Sequence, residues 1–134
     1  MERNTHLEIS AELVGTCSDL GPGRATCVLD TTTAMVADDR RLVHGGFVFG
    51  LADYAAMLAV NDPNVVLGSA DVRFVAPVAH PARVEATATV VAEKGAKRSV
   101  DVLARCGDTE VLRGQLTCFV LPHHVLDPAA KESP

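Results

Sequence analysis

The stretch "LVHGGFVFGLADYAAMLAV", residues 42–60, decides how this chain reads. From Phe47 to Val60 every residue except Asp53 is apolar, glycine or tyrosine. Phe47, Leu51, Ala55 and Leu58 share one helical face, yet Phe49, Ala52, Ala56 and Ala59 make the other faces apolar too. A helix that is greasy nearly all round is buried rather than lying on a surface. Its many small side chains let other backbones come close. The helix over 47–60 is the only convincing one in the chain. Asp53 in its middle is costly to bury as an ion, and such a carboxylate commonly shifts its pKa instead. Either it faces water or it is kept for chemistry.

Working outward, the rest reads as strands. "HLEISAELVGTCSDLGPGRATCVLDTTTAMV" predicts two strands around a turn at Gly21–Gly23, and "ADDRR" a charged connection. "NDPN" is a turn that stops the helix. Beyond it the period changes to two. Val66, Gly68, Ala70, Val72 and Phe74 alternate with Leu67, Ser69, Asp71 and Arg73, and Val84, Ala86, Ala88 and Val90 with Glu85, Thr87 and Thr89. "KRSVDVLARC" and "EVLRGQLTCFVL" complete the series. One buried helix with five to six antiparallel strands predicts a single α+β domain over 1–134, its sheet wrapped around the helix. Residues 122–134 read as a polar, partly disordered tail.

Composition narrows the function. The 134 residues suffice for one domain with a real core, and a 48% hydrophobic share with mean hydropathy +0.19 fits a well-packed globule. With no tryptophan, one tyrosine and four phenylalanines, Val, Ala and Leu must build that core. A net charge of -5 and a pI near 5.4 give no reason to expect nucleic acid or an anionic membrane as partner. Cys17, Cys27, Cys106 and Cys118 form no CxxC pair, which removes zinc-ribbon and thioredoxin readings. Reduced thiols in a cytoplasmic protein are expected. The N-terminus is too polar for a signal peptide, and no apolar run approaches the ~18 residues of a membrane span. His123 and His124 could join His80 at a metal, but no carboxylate or cysteine spacing supports this; no metal and no cofactor are expected.

Gly45 and Gly46 stand at the presumed helix start, where the first amides lack intrahelical partners and the dipole is positive. Glycine lets another molecule approach those donors closely, and an oxyanion or polarised carbonyl is well held there. Asp53 can act as nucleophile or as general base toward a water. These are two halves of an acyl-transfer site. They are eight positions apart, roughly 12 Å at 1.5 Å per residue. A reacting carbonyl must lie within ~3 Å of its donors and similarly near the attacking group. One helix cannot close that gap, whereas two antiparallel copies can. The acyl-transfer reading therefore requires at least a homodimer, with the 47–60 helices near the two-fold axis.

"HGGFVFGLAD" resembles the His-Gly-Gly…Asp/Glu signature of hotdog-fold acyl-CoA thioesterases of the phenylacetate-pathway and 4-hydroxybenzoyl-CoA type. The similarity extends over the helix, the following "VRFVAPV" strand with Pro77, and the closing strands. It implies a hotdog fold, dimerisation, and an active site built across the dimer interface. It also implies that Asp53 is the catalytic carboxylate, that the Gly45 amide of a partner subunit polarises the thioester carbonyl, and that His44 shapes the preceding turn. Gly46 is implied in substrate binding, and Arg98 is the best candidate among Arg73, Lys94, Lys97 and Arg98 to grip coenzyme A phosphates. Many relatives carry Asn or Gln six positions before the histidine; here that position is Asp38, which accepts hydrogen bonds but, ionised, donates none.

Two functions from different classes follow. One is hydrolysis of an acyl-CoA to a free acid and coenzyme A; the other is binding or sensing of acyl-CoA without turnover. Asp53 favours the first and Asp38 keeps the second open. A DNA-binding regulator of this fold would need an added helix-turn-helix, for which the chain is too short. A dehydratase would place its histidine in different surroundings. Both a dimer and a dimer of dimers fit, and the acyl group is left open.

Overall fold

A computed structural model describes residues 1–128. Its order is α1 (Ala11–Val14), β1 (Thr16–Gly21), β2 (Arg24–Asp30), a 3-10 turn (Thr33–Met35), α2 (Gly45–Val60), β3 (Val65–Phe74), β4 (Arg83–Lys94), β5 (Lys97–Cys106) and β6 (Thr109–Val120). The strands form one antiparallel sheet in the order β1-β2-β4-β5-β6-β3, and α2 packs on its central strands. This is the hotdog arrangement.

The two periodicities explain the packing. Along β4, Val84, Ala86 and Ala88 are buried while Glu85, Thr87 and Thr89 are exposed. Ala25, Cys27 and Leu29 of β2, Val100, Val102 and Ala104 of β5, and Leu112, Leu116 and Cys118 of β6 extend the same apolar surface. Nine of the sixteen residues of α2 are buried, among them Ala52, Ala55, Ala56 and Ala59. Small side chains on both layers let the helix lie close to the sheet. Asn61, left-handed at φ 56, ends the helix by returning its N–H to the Met57 carbonyl at 2.8 Å, and Pro63 follows shortly after.

Three expectations need correction. The segment before β1 is not strand: Ala11–Val14 is a short helix closed by Gly15 at φ 96. The alternation in β3 is not continuous, because a bulge at Gly68 switches its phase. Leu67 faces across to Cys118 and Ala70 to Leu116, so Val66 and Ala70 do not share a face. The residue at the bulge is glycine for a steric reason, since a Cβ at Gly68 would run into the Phe119 ring. Finally, β3 ends at Phe74, short of Pro77. Residues 122–128 of the expected tail are exposed; 129–134 lie outside the described residues.

Candidate active site

The His44–Gly45 turn is delivered by backbone pairing. Val36 bridges Val43 and Leu42 bridges Ala79, while the Val43 amide donates to Val78 (2.8 Å) and the His44 amide to Met35 (2.9 Å). Between these bridges the chain turns tightly, with Arg41 at φ 66. Asp38 closes that turn: its Oδ1 accepts from the amides of Arg40 (3.0 Å) and Leu42 (3.1 Å). An ionised aspartate suits this role, which needs an acceptor and no donor. The sequence pattern raised the lack of a donor at this position; the turn that Asp38 builds was not foreseen.

Helix α2 starts at Gly45, the glycine pair opening it ahead of the hydrophobic run 47–60. His44 is its N-cap, is exposed, and makes no side-chain capping bond; its ring meets Phe47 edge-on at 6.1 Å between centroids. The amides of Gly45 and Gly46 are therefore not taken up by a side-chain cap, and they sit at the positive end of the dipole. The absence of Cβ matters at both. A methyl at Gly45 would lie 3.3 Å from the Phe74 ring, and one at Gly46 3.1 Å from the His44 ring. Beside Gly45 is an apolar cavity of about 370 Å³, walled by Leu42, Val48, Phe74, Val78 and Val111. A second of about 360 Å³, shared through Leu42 and Val78, reaches Asp38.

Asp53 lies two turns further along the same helix and is half-buried. Its Oδ1 is fully buried and bonded to nothing among the described residues. Loss of water pushes its carboxyl up from 3.8 to about 6. It lies toward β6, where its charge, after burial, helps hold the Cys118 thiol up at about 11. Within one copy the helix keeps Gly45 and Asp53 roughly 12 Å apart along its axis.

The remaining candidates are spread out. Arg98 sits on β5 opposite Cys118, but its guanidinium donates to the carbonyls of Gly95 (2.7 Å) and Lys97 (3.2 Å) and pairs with Glu93 at 3.3 Å. It braces the β4–β5 hairpin, where Lys94 and Lys97 are paired and exposed. Arg73 lies opposite Arg113 on the two neighbouring strands β3 and β6. The Nδ1 of His80 is engaged by Thr31 at 2.7 Å, and that of His124 accepts from the Leu126 amide at 3.0 Å, so the structure does not gather these histidines. The N-terminal segment was missed as a structural part. Arg3 donates to the Tyr54 hydroxyl (2.8 Å), and Asn61 joins the backbones of Asn4 (2.7 Å) and Glu2 (2.9 Å), strapping this segment over α2. The polar tip of Tyr54, in a run otherwise apolar except for Asp53, was the signal that hinted at it.

The thioesterase superfamily model matches residues 41–112, which include His44, Gly45 and Asp53. An uncharacterised protein from Pyrococcus horikoshii has a crystal structure that superposes with TM-score 0.93 at 46% identity, covering 95% of this chain and 98% of that one. The chain is also 44% identical over 122 residues to a methylthioribose-1-phosphate isomerase of Aquifex aeolicus, spanning 90% of this chain but 27% of that protein. It is 29% identical over 119 residues to the transcription factor FapR of Caldanaerobacter subterraneus subsp. tengcongensis, covering 88% of this chain and 60% of that one. In both curated relatives the chain thus corresponds to only part of the protein. With the superfamily model spanning the helix, three whole strands and the start of β6, the chain belongs to the thioesterase superfamily and carries its hotdog fold.

Proposed function

We propose that the protein hydrolyses acyl-CoA thioesters at a site shared by two copies of the chain. The observation that carries this reading is Asp53, a carboxylate with a buried, unpartnered oxygen in an otherwise apolar helix. A structural carboxylate would be bonded; an unbonded one is free to take a proton or attack. Ionised, Asp53 either draws a proton from a water that attacks the thioester carbon or attacks that carbon itself, forming a mixed anhydride that water then cleaves to the free acid and the carboxylate. The developing oxyanion is held by the Gly45 amide of the partner copy, and coenzyme A leaves as its thiolate. The roughly 12 Å between the two groups supports assembly in trans. So does β3, a ten-residue outer strand with one unpaired edge, beside which Phe74 (55% exposed) and Leu42 (41%) lie open to water.

The apolar cavity beside Gly45 supports an apolar acyl group rather than a charged one. Asp38 lines the adjoining cavity, and the exposed Gly46 amide is the proposed second donor to the substrate. Arg98 is committed to its own hairpin, which weakens its proposed role as a phosphate ligand.

A second reading, acyl-CoA binding without turnover, is supported by the likeness to FapR, a transcription factor rather than a hydrolase by name. Thiol release over a panel of acyl-CoAs, beside equilibrium binding, separates the two. Hydrolysis predicts release that Asp53→Asn abolishes. Tight binding with no release at any chain length overturns it in favour of the binding module.

A further inference from the structure

Cys17 and Cys27 lie directly opposite each other on β1 and β2. In an antiparallel ladder, opposed residues put their side chains on the same face with Cα atoms about 4.5 or 5.5 Å apart, depending on the pair type. Both spacings fall inside the roughly 4.4–6.8 Å that a disulfide spans. Burial, and after it the neighbouring Cys17 thiol, push the Cys27 thiol up to about 12, while the Arg3 guanidinium opposes the rise. The pair differs in access. Cys27 is fully buried, whereas Cys17 is half-buried and lines a cavity of about 640 Å³ between the N-terminal segment and β1, with Arg3, Asp19 and Tyr54. The Cys17 thiol also reaches the Asp19 carbonyl at 3.5 Å, across the bulge that interrupts β1 next to it. That irregularity leaves the backbone at Cys17 room to adjust as a bond forms. Cys106 and Cys118 have no comparable opposite: Cys106 faces Thr109, and Cys118 faces Leu67 and Arg98.

We propose that Cys17 and Cys27 are an oxidisable dithiol that closes a cross-strand disulfide when a peroxide enters the cavity beside β1. Cys17, the accessible sulfur, attacks one peroxide oxygen; the O–O bond breaks, leaving Cys17 sulfenic acid and a first water. The Cys27 sulfur then attacks the Cys17 sulfur, the S–O bond breaks, and the Cys27 proton leaves with the oxygen as a second water. Two thiols and one hydrogen peroxide become one disulfide and two waters. The bond ties the outer strand of the sheet to its neighbour, at a place separate from the Gly45–Asp53 site.

The test treats the full chain with hydrogen peroxide, then unfolds and alkylates it without reductant before mass spectrometry. The expected result is a monomer lacking two hydrogens, with two alkylatable thiols instead of four and a Cys17–Cys27 cross-linked peptide. Cys17→Ser abolishes the cross-link and Cys106→Ser leaves it in place. Four free thiols after peroxide overturn the proposal. So does Cys17 recovered as sulfinic acid with Cys27 still free, or a disulfide that joins two copies of the chain.

Discussion

Replacing Asp53 with asparagine separates the cost of burying a charge from the chemistry of the group. In the folded protein its carboxyl titrates near 6, against 3.8 for the ordinary group. Between those values the folded state holds a proton that the unfolded chain has lost. The group therefore costs nothing below pH ~4, and stability falls as pH rises through the window until the full penalty is reached above pH ~6. About two pKa units at 1.36 kcal/mol each give a penalty near 3 kcal/mol. Asparagine keeps the shape without the charge, but its amide also loses water, so a gain of about 1–3 kcal/mol is expected above pH ~7. Urea unfolding of parent and variant at pH ~8 and pH ~4 reads it directly. The variant should be the more stable at the higher pH, and the gap should close at the lower. Equal stabilities at pH ~8 refute the buried-charge account, and so does a gap that is the same at both values.

Further consequences follow from the same geometry. Thioester hydrolysis should rise with pH and level off with a midpoint near 6, the value at which Asp53 ionises; a midpoint near 3.8, or a flat rate across pH ~5–7, speaks against Asp53 as base or nucleophile. Asp38→Asn keeps the Oδ1 acceptor and should alter stability by less than about 0.5 kcal/mol, while Asp38→Ala leaves two exposed amides to water and should cost about 1 kcal/mol. Equal losses in the two variants, measured by chemical unfolding, count against the turn role. Gly114→Ala places a methyl against the backbone of Asp71 and Val72 on β3, where nothing can rotate away. A loss of about 1–3 kcal/mol is expected, and an unchanged melting temperature contradicts the close approach of β6 to β3.

The parts that were legible beforehand are those where local pattern and burial coincide. Thirteen apolar or tolerant residues around one aspartate announced α2, and strict alternation announced β4, because each period shows directly which side meets the core. What escaped depends on contacts distant in sequence. The bulge at Gly68 lies against Phe119, some fifty positions away, and alternation read along β3 alone carried the wrong phase past that point. The strap of Arg3 and Asn4 over α2 relies on Tyr54 and Asn61, and its exposed residues show no periodicity. At the site, Asp53 and Gly45 could be named from their chemistry. The acceptor role of Asp38 was harder to assign, because either aspartate of "ADDRR" could bond an amide two residues on and only the backbone path selects Asp38.

If each site joins Asp53 of one copy to Gly45 of another, two inactive variants should restore activity when mixed. Asp53→Asn removes the carboxylate. Gly45→Pro removes the amide donor at a helix start that tolerates proline, after a His44 already extended at ψ 129. A Cβ at this position meets the Phe74 side chain, which can turn. Co-refolded in equal amounts, half of the dimers are mixed, and each mixed dimer holds one site with both groups intact. The mixture should recover roughly a quarter of the parental thiol release, as follows from two-fold symmetry. If each site is built within a single copy, every site in the mixture lacks one group. No recovery, with mixed dimers shown to be present, would contradict the account.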